Sequence, residues 1–151
     1  MIRAIKLVLK EKAIIDVYYF DRTVKRFDVL SLVDKYPQFK ELTDRNLFLK
    51  GRLMGWSAIV WNDELDVDTE YIYEDGIDVS KEYSDIEHVV LGYKIKLKRL
   101  EQELSQEELA EKVGIDQSDL SKIEKGNANP SLKMISRIAK GLNSKVYIDI
   151  K

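Results

Sequence analysis

The chain has 151 residues, of which 25 are lysine or arginine and 27 are aspartate or glutamate, so its formal net charge is −2. It has no cysteine and a single histidine, His88, which excludes a disulfide framework, a cysteine nucleophile and a metal centre built from several histidines. No apolar run reaches the roughly 20 residues that span a bilayer, and the N-terminus lacks the apolar core of a signal peptide, so a cytoplasmic protein is expected.

Composition changes near residue 80. Twelve of the 14 aromatic residues lie in residues 1–83. Residues 1–82 carry 13 basic and 16 acidic side chains, a net charge of −3, and residues 83–151 carry 12 and 11, a net charge of +1. Such a shift predicts two domains, which we place at residues 1–80 and 84–151.

The first half has the pattern of strands joined by short helices. Runs of β-branched and aromatic residues predict strands at residues 5–9, 14–20, 24–29 and 58–61. Ser31 and Asp44 are expected to cap short helices, and another helix is expected after Asp68. An α+β domain follows from this alternation. Four of its aromatic residues are expected in the core, with a protein-contact patch as the alternative: Trp56, Trp61, Tyr71 and Tyr73.

The second half begins with a helix after Ser84. Its expected inward face repeats at intervals of three and four residues: Ile86, Val90, Tyr93, Leu97, Leu100 and Leu104. A basic run on the same helix is interpreted as a solvated face, with contact to a nucleic-acid backbone as the alternative: Lys94, Lys96, Lys98 and Arg99.

Three further helices are marked by caps and stops. Ser105 and Glu108 have the spacing of a capping box, and Gly114 is the expected end of that helix. Asp116 is expected to cap the next helix, residues 117–125. Ser131 opens the last helix, whose expected inward residues are Leu132, Ile135, Ala139 and Leu142.

A strand-like run, Val146 to Ile150, closes the chain. An unpaired strand edge is a liability in a soluble protein. The run is therefore expected to pair with the first domain or with its copy in a second subunit. We favour the second possibility, which gives a twofold-symmetric dimer.

Two short helices joined by about three residues have to pack at a steep angle, which requires a small residue, Ala110, at the contact and Gly114 in the turn. Residues 104–110 (LSQEELA), 120–126 (LSKIEKG) and 129–132 (NPSL) closely resemble the Xre-type, lambda-repressor-like DNA-binding domains. The resemblance covers about residues 91–143. It implies an all-α helix-turn-helix domain, here followed by the C-terminal strand.

The resemblance implies double-stranded DNA as the partner and a recognition helix that starts at Gln117 and enters the major groove. Seven side chains are then expected to contact DNA: Gln106, Gln117, Ser118, Ser121, Lys122, Lys125 and Asn127. Gln106 matches the family's backbone-binding glutamine. Glutamine pairs with adenine, lysine reaches guanine, and serine is permissive.

Two positions depart from the family's pattern. Glu103 stands where many relatives have glycine, and a left-handed glutamate there costs about 1 kcal/mol relative to glycine. Asp119 lies on the outer part of the recognition helix. It repels phosphate, accepts a hydrogen bond from cytosine, or helps to close the start of the helix, and the sequence leaves these three roles open.

The first half resembles a small bacterial domain of unknown function that is often associated with toxin–antitoxin pairs. The resemblance rests on Asp21 before Thr23-Val24 and on residues 59–61 (IVW) before residues 66–68 (DVD). Relatives tend to have glycine where Arg22 stands. The resemblance implies a protein-binding or dimerising role without known catalysis.

Together these patterns predict a DNA-binding repressor that is antitoxin-like and represses its own operon, with a toxin bound by residues 1–80. The alternatives are a repressor whose first domain binds a small molecule and, more remotely, an enzyme with an accessory DNA-binding module. No catalytic residue, cofactor or metal is expected. The acidic residues 63–70 lack the glycine and the terminal glutamate of an EF-hand loop.

Overall fold

The computed structural model describes residues 1–151, which form two compact units, Met1–Ile86 and Glu87–Lys151. The first unit consists of strands and short helices, and the second is helical, so the predicted change from α+β to all-α structure is confirmed. No helix is long and apolar enough to cross a membrane.

The first unit contains two antiparallel sheets. Its strands are β1 (Ala4–Leu9), β2 (Ile14–Tyr19), β3 (Val24–Asp28), β4 (Arg52–Met54), β5 (Ala58–Asn62), β6 (Leu65–Asp68) and β7 (Ile77–Asp78). One sheet has the order β1-β2-β3-β7 and the other has the order β4-β5-β6. The helices are α1 (Arg45–Phe48) and α2 (Thr69–Asp75), with 3₁₀ helices at Val29–Leu32, Pro37–Thr43 and Ser80–Glu82. Both sheets contribute to one core, which includes Ile15, Val17, Tyr19, Ile59 and Leu65.

Two caps in the first unit were predicted and a third was not. Asp44 and Asp68 accept hydrogen bonds from the amides of Asn46 and Glu70 and so cap α1 and α2, as expected. The prediction that Ser31 caps a short helix is wrong. Asp28 caps the 3₁₀ helix Val29–Leu32 instead, because its carboxylate follows β3 directly and accepts from the amide two residues on.

The four aromatic residues expected in the core differ in their burial. Trp61 is buried, and its indole Nε1 donates to the carbonyl oxygen of Phe48. Trp56 and Tyr71 are 43% and 45% exposed, so the core assignment is wrong for both of them. Trp56 lies in the turn between β4 and β5, beyond the paired residues of the two strands.

A polar network holds the end of the first unit on its central strand. Asp16, on β2, is fully buried, and its two carboxylate oxygens each accept a hydrogen bond of 2.9 Å from Arg26 on β3. The Tyr83 hydroxyl donates to the same carboxylate, and the Lys10 ammonium lies 3.6 Å from it. Burial alone raises the pKa of Asp16, but the hydrogen bonds from Arg26 and Tyr83 and the charges of Arg26 and Lys10 outweigh it, so the pKa lies below its ordinary value.

The second unit contains four helices, α3 (Ile86–Glu101), α4 (Gln106–Val113), α5 (Gln117–Glu124) and α6 (Leu132–Gly141). The inward face predicted for α3 is confirmed at Val90 and wrong at Leu100. The buried residues are Val89, Gly92, Ile95 and Arg99, together with Val90, whereas Leu100 is largely exposed. The helix turns this face inward because Gly92 has no side chain. A Cβ there would lie 2.0 Å from the carbonyl oxygen of Ile123, so the two backbones are in direct contact.

The C-terminal part of the second unit also departs from expectation. In α6, Ile135 and Ile138 are buried, whereas Leu132 is 61% exposed because it is the first residue of the helix, ahead of the buried turn. The strand expected at Val146–Ile150 is not confirmed. Residues 144–151 have no regular secondary structure in the single chain, which has no strand beside them to complete their backbone hydrogen bonds.

Candidate nucleic-acid interface

Helices α4 and α5 are joined by Gly114, Ile115 and Asp116. Gly114 is left-handed, with φ 74° and ψ 42°, and the amide of Ile115 donates to the carbonyl oxygen of Ala110 at 3.0 Å. This is the geometry in which a glycine ends a helix and reverses the chain. Arg137, on α6, donates from Nη2 to the carbonyl oxygen of Gly114 at 3.2 Å and so fixes the turn from outside.

The start of α4 is fixed by a capping box. The Ser105 hydroxyl accepts from the Glu108 amide at 3.0 Å, and the Glu108 carboxylate accepts from the Ser105 amide at 2.7 Å. Leu109 and Ala110 are buried on the inner side of α4, and Leu120 and Ile123 are buried on the inner side of α5. These contacts orient the two helices, as the spacing of the residues predicts.

A buried ion pair joins α3 to the end of α5. Arg99 Nη2 lies 2.7 Å from Glu124 Oε1, and Arg99 Nε lies 3.0 Å from both carboxylate oxygens. The two side chains are only 8% and 2% exposed. Arg99 also donates from Nη1 to the carbonyl oxygen of Leu104 at 2.8 Å, which ties the segment before α4 to the same site.

Sequence reasoning missed this pair. It assigned Arg99 to a solvated basic face and gave Glu124 no role. The available signal was the spacing of Arg99 from Gly92 and Ile95, which places all three on one helical face, and the position of Glu124 next to the inward Ile123. A charge on an apolar face indicates a buried partner.

The outer face of α5 carries four of the seven predicted contact residues. Gln117, Ser118 and Lys122 are exposed, and Ser121 is half-buried. Asp119 is exposed among them. The structure therefore brings amide, hydroxyl and ammonium groups together on the exposed face of one helix. An α-helix is narrow enough to enter the major groove of DNA.

Two of the predicted contacts follow α5. Lys125 and Asn127 are both exposed, and they flank Gly126, whose φ of 71° is left-handed. The amide of Asn127 donates to the carbonyl oxygen of Lys122 at 2.9 Å, so the position of this loop is fixed relative to α5.

Gln106, the first residue of α4, is half-buried. Its Nε2 lies 3.5 Å from Glu124 Oε2, at the limit of a hydrogen bond. The side chain therefore lies between the outer surface and the buried pair of Arg99 and Glu124.

The start of α5 has unpaired backbone donors. Asp116 occupies the cap position, but its side chain makes no capping hydrogen bond, so the predicted side-chain cap is wrong. Its carbonyl oxygen accepts from the amides of Asp119 and Leu120, each at 3.1 Å. The amides of Gln117 and Ser118 make no hydrogen bond within the chain. Such donors at the positive end of a helix are suited to a phosphate oxygen.

Comparison with known families identifies the same region. A helix-turn-helix family model matches residues 95–147. An uncharacterized HTH-type transcriptional regulator of Archaeoglobus fulgidus is 42% identical over 53 residues, which are 35% of this chain and 75% of the relative. The uncharacterized HTH-type transcriptional regulator MJ0272 of Methanocaldococcus jannaschii is also 42% identical over 53 residues, which are 80% of that protein.

A solved structure is similar along most of the chain. The crystal structure of protein NE0471 from Nitrosomonas europaea aligns with 91% of this chain and 84% of its own, with a TM-score of 0.43 and 15% identity. At that level of similarity, the alignment carries no functional conclusion.

Proposed function

The chain belongs to the helix-turn-helix family of transcriptional regulators, and from this we propose that it is a repressor that binds its operator as a homodimer through the outer face of α5. The observation that carries the proposal is the exposed set of Gln117, Ser118 and Lys122, on a helix whose first two amides are unpaired. In helix-turn-helix proteins the corresponding helix reads base edges from the major groove.

The charge of the second unit fits binding by a small set of local contacts. Residues 87–151 carry 12 basic and 10 acidic side chains, a net charge of +2, and one side chain of each sign lies in the buried pair of Arg99 and Glu124. Phosphate contacts by Lys125, Asn127 and the α5 amides then supply the non-specific part of the affinity of each copy. Because these contacts are few, two copies are needed to hold an operator at physiological salt.

The C-terminal segment supports the dimer. Val146, Tyr147, Ile148 and Ile150 are exposed, and the backbone between them is unpaired. Two such segments, paired by a twofold axis, complete each other's hydrogen bonds and cover the apolar side chains. A dimer of this kind presents two copies of α5 to half-sites about one turn of DNA apart.

Selection of bound sequences from a random DNA pool, followed by titration of the selected duplex, tests the recognition surface. Gln117→Ala is expected to weaken binding and relax discrimination at one base position by about 1–3 kcal/mol. Lys125→Ala is expected to weaken all sequences alike and to lower the salt slope by about 1. Lys140→Ala, on the exposed side of α6, is the matched control. Unchanged specific affinity of the Gln117 variant would refute the assignment of α5.

We further propose that this repressor has an antitoxin-like role. Exposed apolar residues of the first unit support this role. Met54 and Trp56, at the turn between β4 and β5, are 54% and 43% exposed. The Arg3 guanidinium lies 5.4 Å from the centroid of the Trp56 ring and holds it at the surface. Exposed methionine, tryptophan and arginine are typical of protein-contact sites. A toxin bound here leaves the second unit available for repression of the shared operon.

Co-expression of the full chain with the product of the neighbouring gene tests this role. A toxin is expected to co-purify with the native chain, and Trp56→Ala is expected to lose it while keeping operator binding. Leu132→Ala, also exposed but in the second unit and outside the proposed dimer interface, is expected to retain the toxin. If no neighbouring gene product binds, the antitoxin proposal fails and the repressor proposal stands.

A second candidate function is a repressor whose first unit responds to a small molecule. It is favoured by a cavity of about 420 Å³ in the first unit, which lies within the range of small-molecule sites. Operator binding is then expected to change when the ligand is added, without any toxin.

A further inference from the structure

The cavity in the first unit lies where two segments meet. One segment is residues 32–39, which lead into the 3₁₀ helix Pro37–Thr43, and the other is residues 64–71, which contain β6 and the first turn of α2. Leu32, Phe39 and Val67 line the cavity and are all buried in the core. The cavity therefore has an apolar base that is already formed.

Two exposed tyrosines also line the cavity. Tyr36 packs edge-on against Phe39, with ring centroids 6.4 Å apart, and Tyr71 packs edge-on against Phe27, at 5.9 Å. Both side chains remain more than 40% exposed. Each ring is therefore held by a buried aromatic neighbour while much of its own surface is open to solvent.

The polar lining is mainly acidic. Glu64, Asp66 and Asp68 line the cavity together with a single basic residue, Lys35. The carboxylates of Glu64 and Asp66 form no hydrogen bond or ion pair, whereas the Asp68 carboxylate already caps α2. A concave site with an excess of two negative charges and aromatic sides attracts a cation.

The chain itself places a cation against one of these rings. The Lys35 ammonium lies 5.3 Å from the centroid of the Tyr36 ring, within the range of a cation–π contact. Lys35 is an exposed residue with a long flexible side chain, so it can move aside. This contact shows that the Tyr36 ring is compatible with a positively charged group.

We propose that the cavity binds a small organic cation, an alkylammonium or guanidinium compound, whose charge lies near Asp66 and Glu64 and whose apolar part contacts Phe39 and Val67. The proposal deepens the small-molecule candidate above and rests on it. Three features decide this chemistry: the apolar base excludes a bare metal ion, the carboxylates exclude an anion, and the volume excludes a large ligand.

Titration calorimetry on the full chain tests the proposal with matched probes. Butylguanidinium and butylammonium are expected to bind, and butylurea, which has nearly the shape of butylguanidinium without its charge, is not. Asp66→Asn is expected to weaken binding about tenfold, because a charge-assisted contact is lost. Lys35→Met is expected to tighten it, because a competing cation is removed.

Asp63→Asn, in the adjacent turn but outside the cavity, is the control for general charge attraction. Equal loss in the Asp63 and Asp66 variants, binding of butylurea as tight as that of butylguanidinium, or binding of an arginine-rich peptide alone would each overturn the proposal. Operator affinity of the unliganded chain, measured in parallel, distinguishes failure of this site from failure of the repressor function.

Discussion

Each unit of the molecule contains a carboxylate held by a guanidinium, and the two pairs differ in their surroundings. In the first unit the Asp16 side chain is fully buried while Arg26 is 28% exposed, and Lys10 and Tyr83 also contact the carboxylate. In the second unit both members of the Arg99–Glu124 pair are buried. The first carboxylate therefore keeps partners when one is removed, whereas the second depends on a single cation.

The two pairs also connect different parts of the chain. Asp16 holds the segment that leaves the first unit, because Tyr83 and Arg26, which also bonds Glu82, converge on it. Glu124 joins the last turn of α5 to α3. The first pair is therefore one part of a polar network, whereas the second is the only buried ion pair that joins α5 to α3, where it acts beside the apolar contacts of these helices.

The largest effect is expected from Arg99→Met. It leaves Glu124 buried without a cation and removes the hydrogen bond to the Leu104 carbonyl oxygen. Loss of one member of a buried pair costs about 3–5 kcal/mol. Urea unfolding followed by helical circular dichroism measures the change.

Lys98→Met, one residue earlier on α3, is the control. Lys98 pairs with Glu101 at 3.4 Å, with both side chains more than half exposed, and such pairs contribute about 0–1 kcal/mol. If the two variants lose similar free energy of unfolding, the buried pair of Arg99 and Glu124 does not stabilise the second unit more than an exposed pair does.

The same contrast between local and distant contacts explains what could be predicted from the sequence. Ser105, Glu108 and Gly114 act within three or four residues, so their roles follow from spacing. Spacing places Gly92, Ile95 and Arg99 on one face of α3, but it does not show that this face is the inward one. That is determined by the contact of Gly92 with the Ile123 carbonyl oxygen and by the pairing of Arg99 with a residue 25 positions later.

In the first unit β1, β2, β3 and β5 were predictable from their β-branched and aromatic runs, but the shorter strands β6 and β7 and the connections were not. Pro37 opens a 3₁₀ helix that was not predicted, and its fixed φ suits the first position of a helix. Strand β7 has only two residues and is defined by its pairing with Lys25 and Arg26 on β3.

The seven candidate DNA contacts follow from the outward positions of α5 and from the family resemblance. Five of them are exposed, whereas Gln106 and Ser121 are half-buried.

A smaller loss is expected from Arg26→Met. It removes two hydrogen bonds to the buried Asp16, but Lys10 and Tyr83 remain. We expect a cost of about 1–3 kcal/mol, the range for a buried polar group that loses part of its bonding. Trp56 and Trp61 are the chain's two tryptophans and both lie in the first unit, so tryptophan fluorescence reports this transition. If Arg26→Met lowers the free energy of unfolding as much as Arg99→Met does, the additional partners of Asp16 do not compensate for the lost guanidinium.

The pH dependence of the first unit follows from the lowered pKa of Asp16. The unfolded chain takes up a proton near pH 4, before the folded chain does. The stabilisation by ionised Asp16 is therefore complete above that pH and is lost as pH falls through the folded pKa, with a slope of at most about 1.4 kcal/mol per pH unit. Fluorescence-detected urea unfolding between pH 3 and pH 6 measures this slope. Asp16→Asn is expected to be less stable near neutral pH and to show a shallower slope, and an unchanged slope would assign the acid sensitivity to other carboxylates.

The smallest effect is an expected gain, from Glu103→Gly in the segment between α3 and α4. Glu103 has a φ of 56° and its side chain is exposed, so glycine removes left-handed strain without the loss of a packed group. The gain is at most about 1 kcal/mol, because glycine also increases the entropy of the unfolded chain. Glu111→Gly, at an exposed position inside α4, is expected to lose about 1 kcal/mol instead. Opposite signs in thermal unfolding would show that backbone conformation, and not the loss of a glutamate, decides the outcome. A loss in both variants would mean that the Glu103 side chain contributes more to the helix-turn-helix unit than its strained backbone costs.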